Sequence, residues 1–448
     1  MQKHYHLIGI GGVGMSALAR ILLQKGEKVS GSDICDSQVV QSLKAKGAQI
    51  SHGHDAKNIQ KPNAVVFSTD IPEENPEYAY AKKMGIPLLH RSELLSQLME
   101  GYAPLLVAGT HGKTTTSSLL AHILIEAGLD PSYALGGYLN GLDSNGHYGK
   151  GFYFAVEADE SDGSFLNLTS FGSILTNLEH DHMYYWKTEE ALLKAFKQFA
   201  STVGSTKHFF WCYDDMLLRS LNLPGFSYGF SGKADLVIEN FHQEKWSMHF
   251  DLSFQGKHFK QLEIPLIGGH NVLNAAAAFG MGLQIDVPEK SLRQSLKTFK
   301  GVGRRAEKKG ESAGIEVYDD YAHHPTEIFA TLRALKQALT GRRIVVAFQP
   351  HRYSRTKYCL DDFAESFRYA DQVILTDIFA AKEPPVPGVT PEMVIERIKA
   401  DGYNAIQFVA RDGLITHLSS HLKPGDVLVT MGAGDITAVG PALLKKLV

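Results

Sequence analysis

The stretch Pro104-Leu-Leu-Val-Ala-Gly109-Thr-His-Gly112-Lys113-Thr114-Thr115-Thr116 limits the possible folds more than any other part of the chain. Its apolar run reads as a buried strand, its glycines as a turn, and the residues from Thr114 to about Ala127 as a helix. A junction of this kind aims several backbone N–H groups and the positive end of a helix dipole at one point. Lys113 adds a mobile positive charge. Thr114 adds a hydroxyl able to ligate Mg²⁺, and together they make a site for nucleotide phosphates. The glycine spacing is shorter than in the commoner G-x-x-x-x-G-K-[ST] loop, with Val107 at the place of the first glycine. Capping glycines alone would explain the turn but not the Lys-Thr pair directly behind it. About a hundred residues precede this loop, so a separate folded unit must fill them.

That first segment alternates short apolar runs with helical patterns, which predicts a parallel α/β sheet. Strands are expected at Tyr5–Ile10, from Lys28 to Asp33, at Val65–Ser68 and at Pro87–Leu89, with a helix over Met15–Gln24. Gly9-Ile-Gly11-Gly12-Val13-Gly14 fits the dinucleotide fingerprint, and Asp33 follows at the distance of a ribose-binding acid. Taken alone, this suggests an NAD-dependent dehydrogenase. The physical requirement is broader, because any nucleotide diphosphate can approach such a backbone, a UDP-sugar included.

After the phosphate loop, expected strands Phe152–Val156 and Ser173–Thr176 end in Glu157-Ala-Asp159-Glu160-Ser-Asp162 and Asn177-Leu-Glu179-His180-Asp181-His182. Ligands of open α/β sheets bind beyond the carboxyl ends of strands. A hard cation on nucleotide phosphates wants oxygen ligands, which Glu157 and Thr114 can supply. His182 could serve a metal or orient a carboxylate; equally, such runs are often solvated loops. From Ala234 the pattern changes to period two: Trp246, Met248, Phe250, Leu252 and Phe254 form an apolar stripe, read as the core face of an antiparallel strand in a β appendage. Asn271 reads as the N-cap of an alanine-rich helix or as a reader of an adenine edge.

Lys300-Gly301 through Gly310 is the best linker candidate, and a new α/β rhythm follows it. Strands are expected near Ile315–Tyr318, Ile344–Phe348, Gln372–Leu375, Ile406–Val409 and Val427–Thr430, with Pro325 opening a helix. Two strand ends carry clusters, Asp319 to Glu327 and Gln349 to Thr356. Arg352 and Arg355 can form a fork for a small carboxylate. A formal charge of −3 with no dense basic run argues against a nucleic-acid partner. Three scattered cysteines (Cys35, Cys212, Cys359) fit a reducing cytosol, and no apolar run suggests membrane insertion. The sequence sets no oligomeric state.

In combination, Gly9–Gly14, Gly109–Thr116, Glu157–Asp162, His270–Asn274, Asp320–Glu327 and Gln349–Thr356 resemble the Mur ligases, three-domain ATP-dependent amide ligases of peptidoglycan synthesis. The likeness runs from the first strand to Gly434 and is greatest to the branch that adds L-alanine to UDP-N-acetylmuramate. It implies an α/β chain of three domains. Residues 1–103 form a Rossmann-like UDP-sugar-binding domain, residues 104–310 a P-loop ATPase-type domain with a β appendage, and residues 311–448 a Rossmann-like amino-acid-binding domain. By the same resemblance, Gly11, Gly12, Val13, Gly14 and Asp33 hold the UDP-sugar. Gly109, Thr110, His111, Gly112, Lys113, Thr114, Thr115, Asn271 and Asn274 hold ATP, and Thr114, Glu157 and His182 hold Mg²⁺ or Mn²⁺. Tyr321, His323, His351, Arg352 and Arg355 form the amino-acid pocket, and Lys113, Glu157, His182 and His323 serve catalysis. Asp70, Tyr184 and Lys382 depart from the family pattern. A cytoplasmic location is expected. A dehydrogenase would leave the Lys113 loop and the arginine clusters without a purpose.

Overall fold

The computed structural model describes residues 2–142 and 144–447; Met1 and Val448, which bound the expected first and third domains, fall outside the described residues, as does Asp143. Among the described residues, 21 strands form three sheets. The first contains β1 (His4–Ile8), β2 (Lys28–Asp33), β3 (Gln49–His52), β4 (Ala64–Phe67) and β5 (Leu88–His90) in the order β3-β2-β1-β4-β5. All four pairings are parallel, as the alternating pattern predicts. The strand order reverses beside β1, which places the glycine turn that follows it at the switch point of the sheet. Helices α1 (Val13–Gln24), α2 (Gln38–Ala45), α3 (Pro76–Lys83) and α4 (Arg91–Met99) connect the strands. Helix α1 starts two residues earlier than expected, because Gly12 already has the extended backbone of an N-cap.

The second sheet has ten strands in the order β15-β14-β13-β12-β11-β10-β6-β9-β7-β8. Its parallel centre is β6 (Ala103–Ala108), flanked by β9 (Tyr153–Glu157) and β10 (Gly172–Leu175). On one side lie β7 (Ser132–Leu139) and β8 (Ser144–His147), which the sequence reading missed. Their glycines and polar residues weaken the period-two signal. On the other lie β11 (Phe209–Cys212), β12 (Phe226–Gly229), β13 (Leu236–Glu244), β14 (Ser247–Phe254) and β15 (Lys257–Ile264). Helices α5 (Lys113–Glu126), α6 (Met183–Trp186), α7 (Glu189–Ser201), α8 (Met216–Ser220), α9 (Gly269–Gln284) and α10 (Glu289–Thr298) accompany this sheet. Met248, Phe250, Leu252 and Phe254 are buried as the alternation requires, each worth roughly 1.5–3 kcal/mol of transfer free energy. Trp246 departs from the expected stripe: it lies in the turn, 36% exposed, and stacks on Tyr318 with ring centroids 5.2 Å apart.

The third sheet contains β16 (Glu307–Ser312), β17 (Ile315–Asp320), β18 (Ile344–Phe348), β19 (Gln372–Leu375), β20 (Ile406–Phe408) and β21 (Val427–Met431), ordered β16-β17-β21-β18-β19-β20. All pairs are parallel except β16 with β17. Strand β16 corrects the linker reading of 300–310 and runs across the expected 310/311 boundary. It is a charged edge strand with a bulge between Lys308 and Gly310, so it carries no apolar alternation. Helices α11 (Pro325–Ala338) and α12 (Tyr353–Tyr358) follow β17 and β18. Buried clusters cover both faces of this sheet, one including Ile328, Leu332, Phe348 and Val429, the other Val317, Val345, Leu418 and Leu443.

The chain divides into two compact units: Met1–Asn240 with Phe250–Ile264 and Leu273–Gly301, and Phe241–His249 with Pro265–Val272 and Val302–Val448. No helix among the described residues is long and apolar enough to cross a membrane.

Candidate active site

The phosphate loop joins β6 to α5 in the first unit. Gly109 has φ +134° and Gly112 φ +81°, conformations that glycine alone adopts without strain. A methyl group on Gly109 would drive into Thr176 Oγ1 and lie 2.9 Å from Asn177 O. The end of β10 clamps the loop from outside. Thr176 Oγ1 donates to His111 O at 2.6 Å, and Asn177 Oδ1 accepts from His111 N at 2.8 Å. His111 Nε2 and Glu179 Oε2 lie 3.0 Å apart. Asn274, on α9, packs its side chain against Gly112, where a Cβ would meet Asn274 Oδ1 at 2.7 Å. Thr114 and Thr115 sit buried in the first turn of α5.

Lys113 folds back onto its own loop. It donates to Gly109 O at 2.6 Å, Thr110 O at 3.1 Å and Glu160 Oε2 at 2.7 Å, which uses all three ammonium protons. Burial disfavours its charge, but Glu160, Asp159 and Glu157 more than offset this and raise it to about 12. Burial pushes the Glu160 carboxyl up to about 7 against the pull of Lys113. Glu160 Oε1 is buried without a hydrogen-bond partner among the described residues, with His182 Nε2 3.7 Å away. His182 has φ +56°, a strained position for a side-chain-bearing residue of the kind found at functional sites. Glu157, at the end of β9, accepts from Gly136 N at 3.0 Å. Thr114 in the first turn of α5, Glu157 as the last residue of β9 and His182 as the N-cap of α6 thus lie at or beyond the carboxyl ends of the adjacent strands β6, β9 and β10. The oxygen-rich donor set, with one carboxylate oxygen left over, suits a hard divalent cation.

In the first sheet, the glycine turn after β1 carries Gly11, Gly12, Val13 and Gly14 to the N-terminus of α1. Asp33 belongs to the turn itself: Oδ2 accepts from Gly11 N at 2.8 Å and Oδ1 from Cys35 N at 2.9 Å. Beneath it, Glu77 is fully buried. It accepts from Ser32 Oγ at 2.5 Å and Asn58 Nδ2 at 2.6 Å, with His6 Nε2 at 3.3 Å. Burial alone would raise its pKa, but the bonds from His6, Ser32 and Asn58 hold it below the usual carboxylate value.

The second unit gathers Tyr321, His323, His351, Arg352 and Arg355 at the carboxyl ends of β17 and β18. The Tyr321 ring lies under the Arg304 and Arg305 guanidiniums, at 4.9 and 5.5 Å. The His323 and His351 rings meet edge to face at 5.6 Å, and His351 stacks on Phe379. Glu327 Oε2 lies 3.4 Å from His323 Nδ1 and accepts from His323 N at 3.2 Å; it also accepts from the N-cap residue's own amide, His324 N, at 3.4 Å, which closes a capping box at the start of α11. Arg355 donates to His351 Nδ1 at 3.1 Å, whereas Arg352 pairs with Glu383 Oε1 at 3.4 Å. The two arginines are therefore held by different partners. Asp320 accepts from Ala322 N and Ala306 N, and burial pushes its carboxyl up to about 6. Asn271 is not an N-cap: α9 begins at Gly269, and the Asn271 side chain turns back to donate to Ile267 O at 2.8 Å.

Sequence reasoning missed three residues of these clusters, Glu160, Glu327 and Glu383, and also Arg91, which pairs with Asp159 and Asp162 of the acidic run. Glu160 lay inside an acidic run whose first member drew attention instead. Glu327 sat in a His-Pro-Thr-Glu pattern that signals a capping box. Glu383 and Arg91 had no local signal.

Three family profiles match the chain: "Mur ligase family, catalytic domain" over residues 4–103, "Mur ligase middle domain" over 107–282, and "Mur ligase, glutamate ligase domain" over 304–434. A UDP-N-acetylmuramate–L-alanine ligase from Protochlamydia amoebophila is 44% identical over 448 residues, covering 100% of this chain and 99% of that protein. Among solved structures, a UDP-N-acetylmuramate–alanine ligase from Thermotoga maritima aligns with TM-score 0.86 and 27% identity over 99% of both chains. A murein peptide ligase from Psychrobacter arcticus aligns with TM-score 0.75 and 26% identity, over 99% of this chain and 98% of that one.

Proposed function

The chain belongs to the Mur ligase family, and on that premise we propose that it joins L-alanine to the lactyl carboxylate of UDP-N-acetylmuramate at the expense of ATP, the first amino-acid addition of peptidoglycan precursor synthesis. The observation that carries this reading is the likeness, over the whole length, to an L-alanine ligase, in a chain whose Lys113 loop is built for nucleotide phosphates. The greater structural likeness to the alanine ligase than to the peptide ligase supports the small free amino acid over a peptide.

A carboxylate is a poor acylating agent, so the reaction first converts it to an acyl phosphate by in-line attack on the γ-phosphorus of ATP, with release of ADP. Positioning and charge compensation are what the protein supplies in such a step. Lys113, released from Gly109 O and Thr110 O, turns its ammonium to the phosphates, while the N–H groups at the start of α5 hold them. Thr114, Glu157 and His182 would hold Mg²⁺ or Mn²⁺, which offsets phosphate charge when bound. His111, Thr110, Thr115, Asn271 and Asn274 complete the ATP site. Gly11 to Gly14 and the Asp33-braced turn hold the UDP moiety.

The neutral amine of L-alanine then attacks the acyl carbon, and the tetrahedral oxyanion collapses to amide and phosphate. Arg352 and Arg355 bind the alanine carboxylate, with Tyr321 and His351 lining the pocket. His323, beside Glu327, takes the proton that the amine must lose. On this reading residues 1–103 bind the UDP-sugar, residues 104–310 bind ATP and residues 311–448 bind the amino acid. A cytoplasmic location follows from this reading, since its substrates are nucleotide-linked.

Phosphate release from ATP tests the reading, with UDP-N-acetylmuramate present and L-alanine, glycine, L-serine or a cell-wall tripeptide added separately. Release dependent on both sugar and L-alanine, and strongest with L-alanine, is expected. Release with the tripeptide alone would move the protein to the peptide-adding branch.

A further inference from the structure

Arg91 belongs to none of the roles above, yet its guanidinium lies where two nucleotide loops meet. It is the first residue of α4, at the carboxyl end of β5. Nη2 donates to Asp159 Oδ2 at 3.0 Å, Asp162 Oδ2 at 3.1 Å and Ser164 Oγ at 3.4 Å. Nη1 faces the glycine turn, where a methyl group on Gly14 would sit 3.8 Å from it. Thr69, just beyond β4, donates to the same Asp162 oxygen at 2.6 Å, and His90 Nε2 lies 3.8 Å from it. Residues after β4 and at the end of β5 thus grip the acidic loop that follows β9.

That loop is stiff. Ser161 N donates to Asp159 Oδ1 at 3.1 Å, Gly163 N to Glu160 O at 3.1 Å, and Ser164 N to Asp162 Oδ1 at 3.0 Å. Its other side holds Lys113 through Glu160 at 2.7 Å. A single planar guanidinium therefore has one edge toward the diphosphate-binding turn and the other on the loop that sets the phosphate-loop lysine.

We infer that Arg91 is a positioning residue that couples the two nucleotide sites: a diphosphate at the N-terminus of α1 fixes Nη1, which fixes the acidic loop through Nη2 and so the placement of Lys113 for ATP. This rests on the ligase reading. Coupling of this kind is reciprocal, and the sugar nucleotide should tighten ATP binding by about tenfold. Lysine cannot replace arginine here, because an ammonium lacks the two edges of the fork.

The test is calorimetric titration of the full chain with the non-hydrolysable β,γ-imido analogue of ATP, with and without saturating UDP-N-acetylmuramate. The readout is the ratio of the two affinities, which a merely structural role would leave unchanged. The wild type should show the roughly tenfold ratio, and Arg91→Gln and Arg91→Lys a ratio near one. A ratio retained in both variants, or a wild type that binds both ligands independently, overturns the coupling while leaving the ligase reading intact. A wild type that binds neither ligand overturns the ligase reading and the coupling with it. If the Arg91 variants lack a cooperative melt, Asp162→Asn carries the same test, since it weakens one contact of the junction.

Discussion

Substituting Gly109 by alanine should break the phosphate loop in a way that can be traced atom by atom. The backbone there has φ +134°, which costs an L-residue about 1–3 kcal/mol. The added methyl would overlap Thr176 Oγ1 and lie 2.9 and 3.1 Å from Asn177 O and N. Forcing it in against backbone costs a further ~1–3 kcal/mol. Moving the Thr176 hydroxyl aside breaks its 2.6 Å bond to His111 O, at about 1 kcal/mol. The total is about 3–7 kcal/mol, a large fraction of the 5–15 kcal/mol typical of a domain. Urea melts and binding of a fluorescent ATP analogue would measure it. Both should fall sharply in Gly109→Ala. The double variant Gly109→Ala/Thr176→Ala should lose less stability than the two single losses added together, by about 1–2 kcal/mol, because the hydroxyl in the way is gone. A Gly109→Ala protein within ~0.5 kcal/mol of wild type, or strict additivity in the cycle, would refute the steric reasoning.

Lys113→Ala should abolish phosphate release from ATP while keeping a cooperative melt; loss of the melt would make the lysine structural. Arg352→Ala should raise the KM for L-alanine by at least about tenfold, and that for ATP little, in steady-state assays, the loss of one charge-assisted bond; equal effects would remove Arg352 from the amino-acid pocket. Glu77 has a folded-state pKa below its unfolded value of 4.5, so the stability it contributes is present above that pH and is lost as pH falls through the folded value. Glu77→Gln should therefore cost about 1–3 kcal/mol at pH 7 and flatten the acid limb of the urea-melt profile below pH 4.5, and an unchanged slope would contradict this. Phe165, fully buried and stacked on Phe199 with centroids 5.1 Å apart, should cost about 3–5 kcal/mol when cut to alanine, read by the same melts.

The parts of this protein that sequence determines are those set by local backbone geometry. The strands β18 and β19 coincide with their apolar runs, because burial on both faces of a parallel sheet demands such runs. The phosphate loop is legible because its glycines, lysine and threonine act within a few residues of one another. Strands β8 and β16 escaped notice because edge strands bury little and need no alternation, whereas β7, paired on both sides and largely buried, escaped because its glycines and polar residues break the apolar pattern. Side-chain partnership across the fold escaped for a different reason. Lys113 and Glu160 are 47 residues apart, and Arg91 and Asp159 are 68 apart. Their meeting depends on β9 lying next to β6, and on the first sheet turning its carboxyl ends toward the loop after β9. Residue types name the donors and acceptors, but strand order decides which of them come within bonding distance, and strand order is a property of the packed chain.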